Sequence, residues 1–426
     1  MTYLQWLEDR IFAENGIQEY GGPKEDEENT FVNDRAAVRM LQLREYDVWY
    51  NGSDSELLNF YTKNETIDYA YEPWFWRNKD CYFWSVASTE NDIKRTHQGL
   101  ARDMIDTMVN ILGFPSMSVG MDDKGNAQNE LDAILDSFDF WLLYHDRQTP
   151  LTLVEGWGAW KIGWDLSLSD RPFARYYDAS HVDFAIRDGF VVGIIYKNWY
   201  VDRNDQRYLI TETHQRHGKD LEIVTDCFKT VPGDEATLER IDPKDCPFME
   251  GIIPEVTITN YPGLMGTPSI FFSDPSGRNY GRSVYTDKVS EFDDLDQNRS
   301  QDANAVRASS VQKTMDTNYL ERDPVTHLPK QPKVFDLKFI SVKGPKDADG
   351  TPQSGNEPIK VYQPQLNLAQ YSPDAVQIVM DIIQGYMSPA TLGIDVAKKD
   401  NADAQREKEK VTVFTRNGII LRSRGC

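Results

Sequence analysis

Histidine, cysteine and acidic side chains are the groups of this sequence that could do chemistry. His97 could act as a general base, but no nucleophile with a triad-like context stands near it. His214 and His217 are three residues apart, and Asp226 precedes Cys227, yet no further residue completes the ligand spacing of a metal site. We therefore interpret His97 as structural and predict neither a catalytic nor a metal site.

The cysteines lie far apart in the chain and show neither a metal-ligand spacing nor a disulfide framework. They are Cys81, Cys227, Cys246 and Cys426. We expect free thiols in a reducing compartment.

Two loops resemble ligand-binding loops in composition but lack the residues that binding requires. Residues 152–164 are rich in glycine and aromatics, but they contain neither a Lys-Ser/Thr ending nor a Gly-x-Gly-x-x-Gly pattern, so they do not form a phosphate-binding loop. Residues 122–126 lack the alternating ligands and the terminal glutamate of an EF-hand loop, and we interpret them as a turn. No cofactor is predicted.

A dense group of aromatic side chains could form a stacking surface for sugars or nucleic-acid bases. The group comprises Tyr71, Trp74, Phe75, Trp76, Tyr82, Phe83 and Trp84. With two carboxylates as acid and base, it would suit a carbohydrate-active enzyme. No pair of acids stands out, however, and aromatic rings more often build cores or subunit interfaces. We favour packing and keep the enzyme as the alternative.

The chain of 426 residues has a net charge of −22 and 40% hydrophobic residues. This composition supports two or three folded domains. Proteins that grip nucleic acid are usually basic, which argues against a repressor or a nuclease. Surplus acid suits a channel through which DNA slides without sticking, and it equally suits simple solubility. No run of 18 apolar residues predicts a membrane helix, and residues 1–9 show no signal-peptide pattern.

The first two thirds of the chain read as helices followed by strands. Helices are predicted over Ser53–Tyr61, Leu100–Leu112 and Leu131–Tyr144, from apolar residues at helical spacing. Strands are predicted between residues 174 and 259. They are Phe184–Ile186, Val191–Tyr196, Tyr208–Thr213 and Leu221–Thr225. The pattern indicates an α+β fold.

A long polar helix is predicted over residues 284–316, because Tyr285, Val289, Phe292 and Leu295 recur at helical spacing. At 1.5 Å per residue it would span roughly 45 Å. Acidic residues cover its other faces. They are Asp287, Glu291, Asp293, Asp294, Asp296 and Asp302. Seen alone, this is the pattern of a solvated surface helix.

A Pro- and Gly-rich excursion follows over residues 317–371 and contains three strand-like runs, at 333–337, 338–342 and 358–362. Its tip is expected near residues 344–356. Ser372-Pro373-Asp374 then predicts the start of a second helix, which ends at Ser388-Pro389. A polar loop over 390–404 and a final helix over 405–426 complete the chain.

This order of elements resembles the stem, clip, second stem helix and tunnel loop of tailed-bacteriophage portal proteins of the siphophage type. The resemblance includes Gly281–Ser283 before the long helix, Phe292–Leu295 within it, and Ile383–Pro389 before the loop. Phrases at residues 46–61, 94–115 and 156–162 resemble the portal wing.

The resemblance implies an α+β portal fold with an α/β wing (1–283), a first stem helix (284–316), a small β clip (317–371), a second stem helix (372–389), a tunnel loop (390–404) and a return wing helix (405–426). Such proteins continue past the tunnel loop into a long helix and a crown, for which this sequence leaves little room.

The resemblance also implies a homo-oligomeric ring, commonly a dodecamer, at one vertex of the viral capsid. Such rings are assembled in the cytoplasm of the host bacterium. They pass double-stranded DNA during packaging and ejection, and they bind the large terminase subunit, the head-tail adaptor and the major capsid or scaffold protein. They are not enzymes and use no cofactor or membrane. The alternatives are a virion-associated carbohydrate-active enzyme and a structural adaptor of another kind.

By position, the resemblance assigns two groups of functional residues. Thr391, Asp395, Lys398, Lys399 and Asp400 would face DNA, with the lysines making transient phosphate contacts and the aspartates limiting adhesion. The clip interface would include Lys343, Lys346, Asp347 and Asp349.

Overall fold

The computed structural model describes residues 42–63, 82–85, 93–113, 126–166, 169–187, 190–231, 234–249, 251–273, 280–308, 312–316, 324, 338–342, 359–362, 368–392 and 409–423. The chain divides into two compact units. The first unit comprises Met1–Phe60, Gly99–Val289 and Ile383–Cys426, and the second comprises Tyr61–Gln98 and Ser290–Ile382.

The helices before the sheets are α1 (residues 42–51), α2 (Asp54–Lys63), α3 (Leu100–Leu112), α4 (Asn126–Ser137), α5 (Phe140–Leu143) and α6 (Thr149–Glu155), with a π-helical turn at Tyr144–Gln148 between the last two. The predicted bounds of α3 are confirmed, and Gly113 ends this helix at a φ of 55°. Ser53 and Glu56 cap α2, because the Ser53 backbone N–H donates to the Glu56 carboxylate over 2.7 Å.

The helix predicted over Leu131–Tyr144 is wrong in its extent. α4 ends at Ser137, and Asp139 takes a left-handed φ of 51°. The chain then re-enters helix at Phe140, because a left-handed residue breaks the continuous ladder of hydrogen bonds. The apolar period on both sides of this break is what made the two helices look like one.

Among the described residues of the first unit, the strands form two sheets. One has the order β2-β1-β9, with β1 at Trp157–Gly163, β2 at Phe173–Asp178 and β9 at Gly266–Ile270. The larger sheet has the order β3-β4-β5-β6-β7, and β8 also pairs with β6. Its strands are β3 (Val182–Arg187), β4 (Phe190–Val201), β5 (Arg207–His217), β6 (Asp220–Val231), β7 (Asp234–Ile241) and β8 (Glu255–Ile258). The four predicted strands lie in β3 to β6 and are confirmed.

The core of the first unit is apolar and aromatic. Its main cluster includes Trp157, Tyr177, Phe184 and Tyr196. A second cluster lies within the larger sheet and contains Ile195, Leu209, Phe228 and Leu238. Long antiparallel pairings place these side chains on shared faces of the sheet.

The second unit contains most of helix α7 (Val289–Ala308), a three-stranded sheet and most of helix α8 (Leu368–Ile383). The sheet has the order β11-β10-β12, with β10 at Gln312–Asp316, β11 at Lys338–Val342 and β12 at Ile359–Tyr362. β10 runs parallel to β11 and antiparallel to β12. The strands predicted at 338–342 and 358–362 are confirmed, and the run at 333–337 lies outside the described residues.

Both long helices differ in extent from the prediction. α7 has 20 residues, about 30 Å at 1.5 Å per residue, because its predicted last turns form β10 and pair with two strands. α8 begins at Leu368 rather than at Ser372 and ends at Ile383, before a turn in which Gly385 has a φ of 90°. A short 3-10 helix (Pro389–Leu392) and helix α9 (Lys410–Ser423) follow.

Candidate functional site

Among the residues assigned to DNA contact, Thr391 lies in the described part of the chain. Asp395, Lys398, Lys399 and Asp400 lie outside the described residues. The clip residues Lys343, Lys346, Asp347 and Asp349 also lie outside them. The structure therefore describes the first residues of the predicted tunnel loop and the helix that follows it.

Thr391 belongs to a cluster of hydroxyl groups that joins the 3-10 helix to α9. Its hydroxyl oxygen lies 2.8 Å from that of Thr412 and 2.9 Å from that of Ser388. The Ser388 backbone N–H donates to the Thr412 hydroxyl over 2.9 Å. Thr391 is half-buried, so its hydroxyl holds the start of the loop, and its contact with DNA stays a prediction.

Helix α9 is tied to two other elements of the first unit. Arg416 donates to the backbone oxygen of Ile111 over 3.0 Å, and Arg422 donates to that of Phe271 over 2.7 Å. The ring of Phe272 meets that of Tyr386 edge-on, with 5.7 Å between centroids. The residues that flank the predicted tunnel loop are thus anchored on α3 and beside β9.

Two phrases of the portal resemblance meet in the first unit. Gly156 has a φ of 96°, and a side chain on it would lie 2.8 Å from the Ser283 backbone nitrogen. A side chain on Gly281 would lie 1.9 Å from the Gly156 oxygen. Beside them the Ser283 hydroxyl donates to the Val154 oxygen, and the Val284 N–H donates to the Leu153 oxygen over 3.0 Å. The Gly-Arg-Ser phrase therefore fixes the chain where it approaches α7.

Helix α7 carries a buried polar stripe. Asp293, Asp296 and Ser300 are 3%, 1% and 0% exposed. The first two were predicted to lie on a solvated acidic surface, and that prediction is wrong. Residues three and four apart share a helix face, and backbone donors from residues 82–85 and 93–98 cover this one.

The contacts of this stripe are hydrogen bonds from distant parts of the second unit. Asp293 accepts the Phe83 N–H over 2.7 Å and the Trp84 N–H over 3.4 Å. Asp296 accepts the Trp84 indole N–H over 3.1 Å and the Gln98 N–H over 2.8 Å.

Two further contacts complete the cluster, which we call the polar clasp: Asp293, Asp296 and Ser300 with residues 82–85 and 93–98. Ser300 accepts the Thr96 N–H over 3.0 Å. His97 Nδ1 lies 2.8 Å from the Asp296 carboxylate, which agrees with the interpretation of His97 as a structural residue.

His214 and His217, considered above as metal ligands, each lie beside a glutamate of the larger sheet, Glu212 and Glu222 respectively. Glu212 lies 2.5 Å from the Lys161 ammonium and 2.6 Å from His214 Nε2. Burial opposes its charge, but these two partners outweigh burial and lower the pKa of Glu212 to about 2. Asp226 pairs with Arg240. Burial raises the pKa of the Cys227 thiol, which keeps it protonated and unreactive.

The described aromatic residues of the 71–84 group are packed rather than displayed. Tyr82 and Trp84 are buried, and the Tyr82 ring stacks on Tyr61 with 5.0 Å between centroids. These two rings therefore offer no open face for a sugar. The other members, except Phe83, lie outside the described residues.

Within the described ranges, no three histidine, cysteine or acidic side chains gather closely enough to hold a metal ion. No described helix has the length and apolarity needed to cross a membrane. The chain matches no protein-family model, and no curated protein matches its sequence.

Proposed function

We propose that this chain is the portal protein of a tailed bacteriophage. Copies of it would form a ring, commonly of twelve, at one vertex of the capsid, and double-stranded DNA would pass through the ring during packaging and ejection. The ring would dock the large terminase subunit and later the head-tail adaptor, and it would contact major capsid or scaffold protein. It would act within the virion without catalysis.

The observation that carries the proposal is the composition of the second unit. Helix α7 leads out, the three-stranded sheet β10–β12 follows, and helix α8 leads back to the first unit. All three sheet strands come from between the two helices in sequence, as expected for a stem that carries a small β clip. The division at Val289/Ser290 and Ile382/Ile383 falls close to the ends of the predicted stem.

The net charge of −22 supports a channel rather than a gripping site. A wall of like charge lowers the affinity for phosphate and lets DNA move. Thr391, Thr412 and Arg416 would hold the two ends of the loop that carries Lys398 and Lys399. The two lysines of each subunit would then contact the DNA phosphates at one level of the channel.

Assembly is the first test. Negative-stain electron microscopy with mass photometry on the purified chain should show rings of about a dozen subunits with a central hole. A chain that stays monomeric at every salt concentration and cleaves glycans would replace the proposal with the enzyme alternative.

The second test separates assembly from DNA passage. Lys398→Glu with Lys399→Glu should leave ring formation intact and impair packaging, because two repulsive charges replace two phosphate contacts in every subunit. The matched control is Lys219→Glu with Lys244→Glu, which makes the same charge change at two exposed positions of the first unit. Normal packaging by the 398/399 variant would remove the loop assignment.

A further inference from the structure

The polar clasp concentrates ionisable groups in a buried place. The groups facing Asp293 are Asp294 and Asp296 on its own helix and Arg95 on the covering segment. His97 faces Asp296. Arg95 donates to the Trp84 backbone oxygen over 2.7 Å, and its guanidinium lies 5.2 Å from the centre of the Phe83 ring. The clasp is thus closed by hydrogen bonds and by a balance of buried charge.

Asp293 is a group of the clasp whose protonation changes near neutral pH. Burial and, to a smaller extent, the charges of Asp294 and Asp296 raise the pKa of Asp293 to about 7, although the Phe83 and Trp84 N–H donors act in the opposite direction. Near neutral pH the closed clasp therefore holds a proton that the same carboxyl would lose in water.

We propose that the polar clasp is a proton-dependent fastening, in which loss of the proton on Asp293 loosens residues 82–85 and 93–98 from helix α7. The deprotonated carboxylate leaves Asp293 and Asp296 as neighbouring buried anions on one helix face. Opening the clasp hydrates both. The inference concerns the second unit alone and does not rest on the proposed function.

Linkage fixes the sign and the size of the effect. A carboxyl with a raised pKa in the closed state favours closure at low pH, and this contribution is lost as the pH rises through about 7. The opening equilibrium should therefore rise roughly 50-fold between pH 5 and pH 7, and only about twofold above that.

Hydrogen exchange of the full-length protein measures this opening directly. The Phe83, Trp84, Thr96 and Gln98 amides are the donors of the clasp. Their exchange, corrected for the pH dependence of the chemical step and read in peptides covering 82–85 and 93–98, should follow the predicted rise. Amides of β5 and β6 provide the internal reference and should show no such profile.

Three variants assign the titrating group. Asp293→Asn stays neutral at every pH and keeps an acceptor oxygen, so it should flatten the profile. Asp294→Asn removes an exposed carboxylate one residue away, and the rise of exchange with pH should remain. His97→Asn keeps a donor toward Asp296 and should also keep it.

The outcomes decide the proposal. A flat wild-type profile between pH 5 and pH 8 overturns it without any variant, so it remains testable even if Asp293→Asn fails to fold. An unchanged rise in Asp293→Asn also overturns it, and a flat profile in His97→Asn transfers the titration to the imidazole.

Discussion

The cluster within the larger sheet of the first unit is apolar and aromatic, whereas helix α7 of the second unit buries two carboxylates and a hydroxyl in addition to the apolar Phe292 and Leu295. In the larger sheet Ile195, Leu209 and Phe228 are at most 1% exposed. Asp293, Asp296 and Ser300 on α7 accept hydrogen bonds from residues 82–85 and 93–98. Apolar packing is indifferent to pH, but buried carboxylates are not.

One largely buried carboxyl in each unit shows the opposite response to acid. Glu212 in the first unit has its pKa lowered to about 2, and Asp293 in the second has its pKa raised to about 7. Glu212 contacts Lys161 and His214, whereas Asp293 accepts backbone N–H donors and faces two further acids as well as Arg95. Acid should therefore weaken the Glu212 cluster and tighten the polar clasp.

The largest expected effect is in the apolar core of the first unit. Phe228→Ala empties a fully buried site beside Leu209 and Leu238, and we expect a loss of about 4 kcal/mol in the free energy of unfolding. Hydrogen exchange in β5 and β6 measures it. Trp164→Ala, at a side chain 66% exposed, should cost about 0.5 kcal/mol or less. Equal losses in both variants would contradict the assignment of Phe228 to a packed apolar core.

The second effect tests the polar fastening. Asp296→Ala leaves the Trp84 indole N–H and the Gln98 N–H without their acceptor, and it should destabilise closure of the clasp by about 3 kcal/mol. Faster exchange should appear in 82–85 and 93–98 and not in β5 or β6. The control is Asp294→Ala, one residue away and exposed. If both variants open the clasp equally, net charge rather than hydrogen bonding holds it.

Local patterns predicted the elements that are determined locally. Helix α3 was predicted to the residue, because Met104, Ile105, Met108 and Leu112 all face inward and a glycine ends it. The strands β3 to β6 were recognised from apolar runs between turns. The order of helix, small sheet and helix was also predictable, although not its boundaries.

Long-range pairing was what the sequence could not reveal. Asp293 accepts a hydrogen bond from the Phe83 N–H, which is 210 residues away in the chain. No local sequence pattern therefore distinguishes Asp293 from the exposed Asp294. β10 is a strand because β11 and β12 pair with it, and the helical period continued through it. The i, i+3, i+7 spacing of Asp293, Asp296 and Ser300 was the available indication of a polar face with a partner.

The third effect sharpens the contrast in acid response. Glu212→Gln removes the charge that Lys161 and His214 stabilise, and it should cost about 2 kcal/mol of stability at pH 5. Because the pKa of Glu212 is lowered to about 2, wild type loses this advantage as the pH falls from 4.5 toward 2, so the two proteins should converge. Hydrogen exchange in β5 at pH 5 and pH 3 reports it. Glu222→Gln, whose partner His217 is largely exposed, should show almost no difference at either pH.

The smallest effect concerns the frame of the loop that carries Lys398 and Lys399. Thr391→Val keeps the shape of the side chain but removes the hydroxyl that contacts Ser388 and Thr412, and it should cost about 1 kcal/mol. Thr391→Ser should restore most of it. Thermal unfolding measures the loss, and Thr415→Val, at a half-buried position of α9, is the matched control.

A double-mutant cycle tests whether these hydroxyls act together. Thr391→Val and Thr412→Val should cost less together than the sum of the two separate losses, by about 1 kcal/mol, because both remove the same contact. Strict additivity would mean that the two threonines stabilise their own segments and do not join them. The hydroxyl cluster would then not act as a joint between the 3-10 helix and α9.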